Sequence, residues 1–120
     1  MLIIDDEAYI RRVLELKLIN MGFQVLSAQN GEEGLVAIET HQPDVVITDI
    51  MMPKLDGEAL CKKVNYIKQK RPFLTIVITA RINPKERDWI AQMQDTQLME
   101  KPFSPARMVE AIENYLGIQE

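Results

Sequence analysis

Short apolar runs and longer amphipathic segments alternate along the whole of this chain, and no other feature restricts its fold so strongly. The runs are Leu2–Ile4, Phe23–Leu26, Val45–Thr48, Leu74–Ile78 and a weaker one at Leu98–Met99. Their β-branched residues suit a pleated, buried surface. Between the first two, Ile10, Val13, Leu14, Leu18 and Met21 recur at helical spacing, with Arg11, Arg12, Glu15 and Lys17 on the other face and Gly22 placed as a C-cap. This predicts a first helix over about 7–21. A short second helix follows Asn30-Gly31, carries Leu35 and Ile38, and stops at Pro43; a third carries Leu60, Val64 and Ile67 and ends in Lys68, Lys70 and Arg71 before Pro72. Pro84 and Pro105 fit the first turns of a fourth helix, with Trp89, Ile90 and Met93 on its apolar side, and of a fifth, with Met108, Val109, Ile112 and Leu116 before Gly117. Strict alternation of strand and helix calls for parallel strands joined by right-handed crossovers, with helices on both faces. The expectation is an α/β protein: a doubly wound, five-stranded parallel sheet flanked by five helices.

Length and charge narrow the classes of function. At 120 residues the chain suits one domain, residues 1–120, and its 47% hydrophobic content is enough for a packed core. A net charge of −4 opposes attraction to phosphate backbones and to anionic lipid, so no direct nucleic-acid or membrane partner is expected. One cysteine, Cys61, and one histidine, His41, exclude an internal disulfide and a Cys/His zinc site. No apolar run approaches the roughly 18 residues of a membrane span, and no signal-peptide core is present. These features predict a cytoplasmic protein, with any effector domain outside this sequence.

In a parallel sheet all strands end on one edge, so polar residues just after the strands meet in one crevice. Here those residues are Asp5-Asp6 after the first run, Asp49 after the third, Thr79 after the fourth and Lys101 after the fifth. Crowded acids must hold protons at raised pKa or be neutralised by a cation. Oxygen donors without His or Cys select a hard cation, and a sparse set that leaves room for water and phosphate favours Mg²⁺ over Ca²⁺. A carboxylate nucleophile, Mg²⁺, an ammonium and a hydroxyl are the parts that phosphoryl transfer requires.

Four runs then carry a family likeness. Ile3-Ile4-Asp5-Asp6-Glu7, the segment from Pro43 through Asp49-Ile50-Met51-Met52-Pro53 with Asp56-Gly57, Ile78-Thr79-Ala80-Arg81, and Lys101-Pro102-Phe103-Ser104 resemble the receiver domain of two-component response regulators. The likeness spans nearly the whole chain, with the runs in the family's order and spacing. It implies a flavodoxin-like receiver fold with strand order 2-1-3-4-5. It also implies that Asp49 is the phosphoacceptor, supplied by a sensor histidine kinase or a histidine phosphotransfer protein. By the same resemblance Asp6 and Asp49 bind Mg²⁺ directly, the Met51 backbone carbonyl is a further ligand, and Asp5 acts through water. Lys101 pairs with the phosphoryl oxygens, and Thr79 hydrogen-bonds the phosphoryl group and alters the face formed by the fourth helix, fifth strand and fifth helix. Such a domain is no enzyme in the ordinary sense, although it catalyses its own phosphoryl transfer and autodephosphorylation.

Three departures qualify the resemblance. Leu98 stands where the family usually has Tyr or Phe, so the aromatic half of the switch is replaced by a side chain that can repack but carries no ring. Asp95-Thr96-Gln97 and Ala111 lack the residues that build the dimer ion pairs of winged-helix members. Met51 and Arg81 flank the path of an attacking water, which predicts a persistent phosphoryl state. The alternative is a constitutive interaction module that kept the fold and lost phosphate control. An aspartyl-intermediate phosphatase would want an acid at position 51, where Met stands, and the scattered glycines form no nucleotide-binding loop.

Overall fold

A computed structural model describes residues 1–49, 73–79, 87–88, 95–100 and 104–117. In chain order the elements are β1 (Leu2–Ile4), α1 (Ala8–Asn20), β2 (Leu26–Ala28), α2 (Gly31–His41), β3 (Val45–Asp49), β4 (Leu74–Thr79), β5 (Thr96–Glu100) and α3 (Pro105–Leu116), the last being the fifth helix of the sequence reading. The third helix and most of the fourth lie outside the described residues, together with Cys61 and Trp89; residues 87–88, within the fourth, are helical. The five strands form one sheet in the order β2-β1-β3-β4-β5, and every pairing is parallel.

Alternate residues of the strands divide the core into two layers, as the period of a strand requires. Ile3, Val45, Ile47, Leu74, Ile76 and Ile78 pack with Leu14 and Leu18 of α1 and Met108, Val109 and Ile112 of α3. Leu2, Ile4 and Val46 face the other way, with Ala28, Phe73 and Ile38 of α2. The sheet is therefore covered on both faces, and the residues of β1 and β3 are buried whichever way they point.

The helix ends explain most of the element boundaries. At the end of α1, Gly22 adopts φ +92°. Its N–H donates to the Ile19 carbonyl at 2.9 Å, and that of Phe23 donates to Leu18 at 3.1 Å. This is a Schellman closure. It commits the Phe23 N–H to the helix, so the second strand is Leu26–Ala28 and not Phe23–Leu26 as the apolar run suggested. Phe23 and Val25 still pack against the core, which is why the run is apolar. At the start of α2, the Asn30 side chain accepts from the Glu33 N–H at 3.0 Å while Glu33 Oε2 accepts from Asn30 Nδ2 at 3.1 Å, a reciprocal cap. Ser104 caps α3 through the Arg107 N–H at 3.4 Å, with Pro105 in the first turn.

Other differences from the sequence reading concern faces and lengths. In α1 the stripe Ile10, Leu14, Leu18 meets the sheet; Val13, about 100° round the helix from Leu14, and Met21, beyond the last helical residue, are exposed. Leu116 is exposed at the end of α3. The fifth strand extends from Thr96 to Glu100, beyond the Leu98–Met99 run, because its whole length finds a parallel partner in β4 despite polar side chains. The third and fourth strands each run one residue further, to Asp49 and Thr79.

Candidate functional site

Neighbouring strands β1 and β3 place the acids together. Ile4 is in register with Thr48, so Asp5 and Asp49 follow at the same level of the sheet edge. Both are almost wholly buried, 2% and 5% exposed, whereas Asp6 and Glu7 are open to solvent. One carboxylate oxygen from each of Asp5, Asp6, Glu7 and Asp49 lies within 4.8 Å of every other. Asp49 belongs to the strand itself, which fixes its backbone in the sheet, and its carbonyl accepts from the Thr48 hydroxyl at 3.1 Å.

The bend between β1 and α1 is held by a set of local bonds. The Asp5 N–H donates to the Ala28 carbonyl at 3.2 Å, prolonging the sheet pattern, and the Glu7 N–H donates to Asp5 Oδ1 at 2.8 Å. Arg11 Nη1 donates to the Asp5 carbonyl at 2.6 Å, and the Arg11 N–H closes the first helical bond on Glu7 at 3.1 Å. The N-cap of α1 is Glu7, and no side-chain hydrogen bond caps it. Asp6, of a residue type favoured at helix N-caps, therefore does not serve as one here. The acids instead crowd at the helix N-terminus, whose partial positive charge favours them.

This donor set suits a hard divalent ion. Opposite oxygens of a Mg²⁺ octahedron stand about 4.2 Å apart, from bond lengths of roughly 2.1 Å. Adjacent oxygens stand closer, at about 3.0 Å, so oxygens within 4.8 Å of one another can share such an ion directly or through its waters. Four carboxylates in one crevice also repel, which a divalent cation relieves.

Of the residues singled out in the sequence, the structure brings together Asp5, Asp6 and Asp49. Thr79 closes β4 one residue beyond Ile78, the partner of Asp49, and Glu100, the residue before Lys101, ends β5 beside it. The readings of the Thr79 hydroxyl, Met51 and Lys101 lie outside the described residues. Leu98 sits half-buried in β5, paired with Val77. His41 is exposed in the last turn of α2. Two participants were not singled out as site residues: Glu7, the third of three consecutive acids, and Arg11, four residues further along α1. The unbroken acidic run signalled the first; the second needed the geometry of the bend.

Known proteins agree with this arrangement. Residues 1–113 match the family model described as the response regulator receiver domain. Among curated proteins, a probable transcriptional regulator, ycf27, of Porphyra purpurea is 36% identical over 115 residues, covering 96% of this chain and 46% of that protein. Among solved structures, the N-terminal domain of an uncharacterized Wolinella succinogenes protein superposes with TM-score 0.87 at 32% identity, covering 98% of this chain and 93% of the other. The chemotaxis protein CheY4 of Vibrio cholerae gives TM-score 0.85 at 25% identity, with 95% of each chain covered. Sheet order, acidic edge and sequence match together define a two-component signalling module, and the chain belongs to the response regulator receiver domain family. It spans about half the length of the curated relatives it matches. Among the described residues no helix is long and apolar enough to cross a membrane.

Proposed function

We propose that this domain is a phosphorylation-driven switch in which Asp49 accepts a phosphoryl group from a phosphohistidine of a sensor kinase or phosphotransfer protein. The observation that carries this is the meeting of a buried strand-end aspartate with three further carboxylates at the edge of the sheet. An Asp49 carboxylate oxygen forms the new bond to phosphorus as the P–N bond to imidazole breaks, and the departing nitrogen takes up a proton. Asp6 and Asp49, the Met51 carbonyl and, through water, Asp5 would hold Mg²⁺. When bound, the ion neutralises charge on the phosphoryl oxygens and fixes the donor's position.

Pairing with β4 fixes the Asp49 backbone and burial confines its side chain, so little freedom remains to be lost when the donor arrives. Lys101 pairs with the phosphoryl oxygens, and Thr79 draws toward them, changing the face that includes β5 and α3. Leu98 repacks with it. That face transmits the state to an effector domain or protein outside this chain. The domain turns over nothing but its own aspartyl phosphate, by autodephosphorylation.

Incubation with acetyl phosphate and Mg²⁺ tests the reading. The wild type is expected to gain the mass of one phosphoryl group, and neither Asp49→Asn nor wild type in EDTA should do so. An unlabelled wild type refutes the proposal. Labelling that leaves partner affinity unchanged would instead identify a constitutive module, the reading that the Leu98 departure favours.

A further inference from the structure

We propose that Arg11 is a positioning residue for the cation site, its guanidinium holding the β1–α1 bend so that Asp5, Asp6 and Glu7 converge on Asp49. This rests on the reading of that cluster as a Mg²⁺ site. Asp5 is the corner of the bend, and each of its polar groups is committed. Its N–H continues the sheet on Ala28, its Oδ1 receives the Glu7 N–H, and its carbonyl receives Arg11 Nη1 at 2.6 Å. The first two bonds fix the direction of entry and the local turn. The third ties the corner to a residue one turn inside α1, so the helix and the acid-bearing loop move as one body.

The need for such a tie follows from charge. Mutual repulsion among the clustered carboxylates favours an opened bend, and no side chain caps α1 to oppose it. A half-buried guanidinium bonded to the main chain at the corner resists opening both by its hydrogen bond and by its charge. Its acceptor is a backbone oxygen outside the carboxylate set, so it supports the acids without occupying one. A fixed positive charge also competes with a divalent ion. The two effects have opposite signs on affinity, and the proposal is that positioning outweighs competition.

Titration calorimetry of the unphosphorylated domain with MgCl₂ separates them. Arg11→Met is expected to weaken Mg²⁺ binding about tenfold, in the range found when groups supporting metal ligands are removed. Arg11→Lys, which keeps the charge and one donor, should recover part of the loss. Lys17→Met, which removes the same charge from the exposed last turn of α1, should stay within about twofold of wild type because solvent and salt screen it. Arg11→Gln replaces Arg11→Met if the latter does not fold. Unchanged affinity in a folded Arg11 variant, even with a lowered thermal midpoint, overturns the proposal, as does tighter binding. If the wild type binds no Mg²⁺ the underlying site reading fails. If Asp6→Asn weakens binding while Arg11→Met equals wild type, this inference alone fails.

Discussion

Replacing Gly34 by alanine tests how tightly α2 is seated behind the acidic edge. A Cβ at this position would stand 2.4 Å from Ile4 Cδ1, 2.9 Å from its Cγ1 and 3.3 Å from its Cγ2. Ile4 is 0% exposed and packed among Leu2, Ala28, Ile38 and Val46, so its side chain has no open space to enter. Alanine gains about 1 kcal/mol over glycine in a helix interior. Overpacking a filled core costs typically about 1–3 kcal/mol, and two contacts below 3.0 Å place this site toward the upper end. The clash wins, and Gly34→Ala should destabilise the domain by about 1–2 kcal/mol, lowering its melting temperature by roughly 4–8 °C. Ile4→Val supplies the control, because it removes the Cδ1 that makes the closest contact. Alone it should cost about 1 kcal/mol through the cavity left behind. In the Gly34→Ala background the same change should cost little, giving a coupling of about 1 kcal/mol by urea denaturation. A double-mutant cycle additive to within about 0.5 kcal/mol, or a Gly34→Ala protein more stable than wild type, refutes the reasoning.

Two further outcomes follow from buried polar groups. Thr75 Oγ1 is buried in β4 with no hydrogen-bond partner among the described residues, so Thr75→Val should stabilise the domain by about 1 kcal/mol in urea melts; a loss of stability would show that the hydroxyl is satisfied. Asp49→Asn removes one charge from the crowded edge and should raise stability in EDTA by about 1 kcal/mol, the size of one screened like-charge contact. The gain should shrink or reverse as MgCl₂ is added, because the wild type then holds the ion better. A variant equally stable with and without Mg²⁺, relative to wild type, would mean that the acids do not share a cation.

Much of the architecture was legible because burial and periodicity report the same thing in a two-faced parallel sheet. The strand Val45–Asp49 is buried on both sides, and all of it but its closing Asp49 lies in the run Val45–Thr48 from which it was read. The misplaced second strand shows where that logic stops. Phe23 and Val25 are apolar because they touch the core, but the Phe23 N–H is spent on closing α1, and an apolar run does not say where its hydrogen bonds go. The fifth strand fails in the opposite direction: Gln97 and Glu100 look unlike a strand, yet an edge position leaves polar side chains room while the backbone pairs with β4. Val13 illustrates a third limit, since helical spacing defines a stripe but not how wide an arc the sheet will cover.

The candidate site was legible for a topological reason and incomplete for a local one. Parallel strands end together, so Asp5, Asp6 and Asp49 can be gathered from sequence once the strands are placed. Glu7 and Arg11 belong to the bend, whose shape is set by which donors Asp5 satisfies. That bend also shows a conflict between levels of structure. An acid just before a helix ordinarily stabilises it by capping an N–H, yet α1 begins on Glu7 with no side-chain cap although three acids precede its first residue. Asp5 turns its Oδ1 to the Glu7 N–H, and the carboxylates of Asp6 and Glu7 collect beside Asp49. The local stability forgone is of the order of 1 kcal/mol, and what it leaves is carboxylates gathered beside Asp49 with none capping the helix. A sequence that breaks a local rule at the place where its topology concentrates charge is doing so at the site of its chemistry.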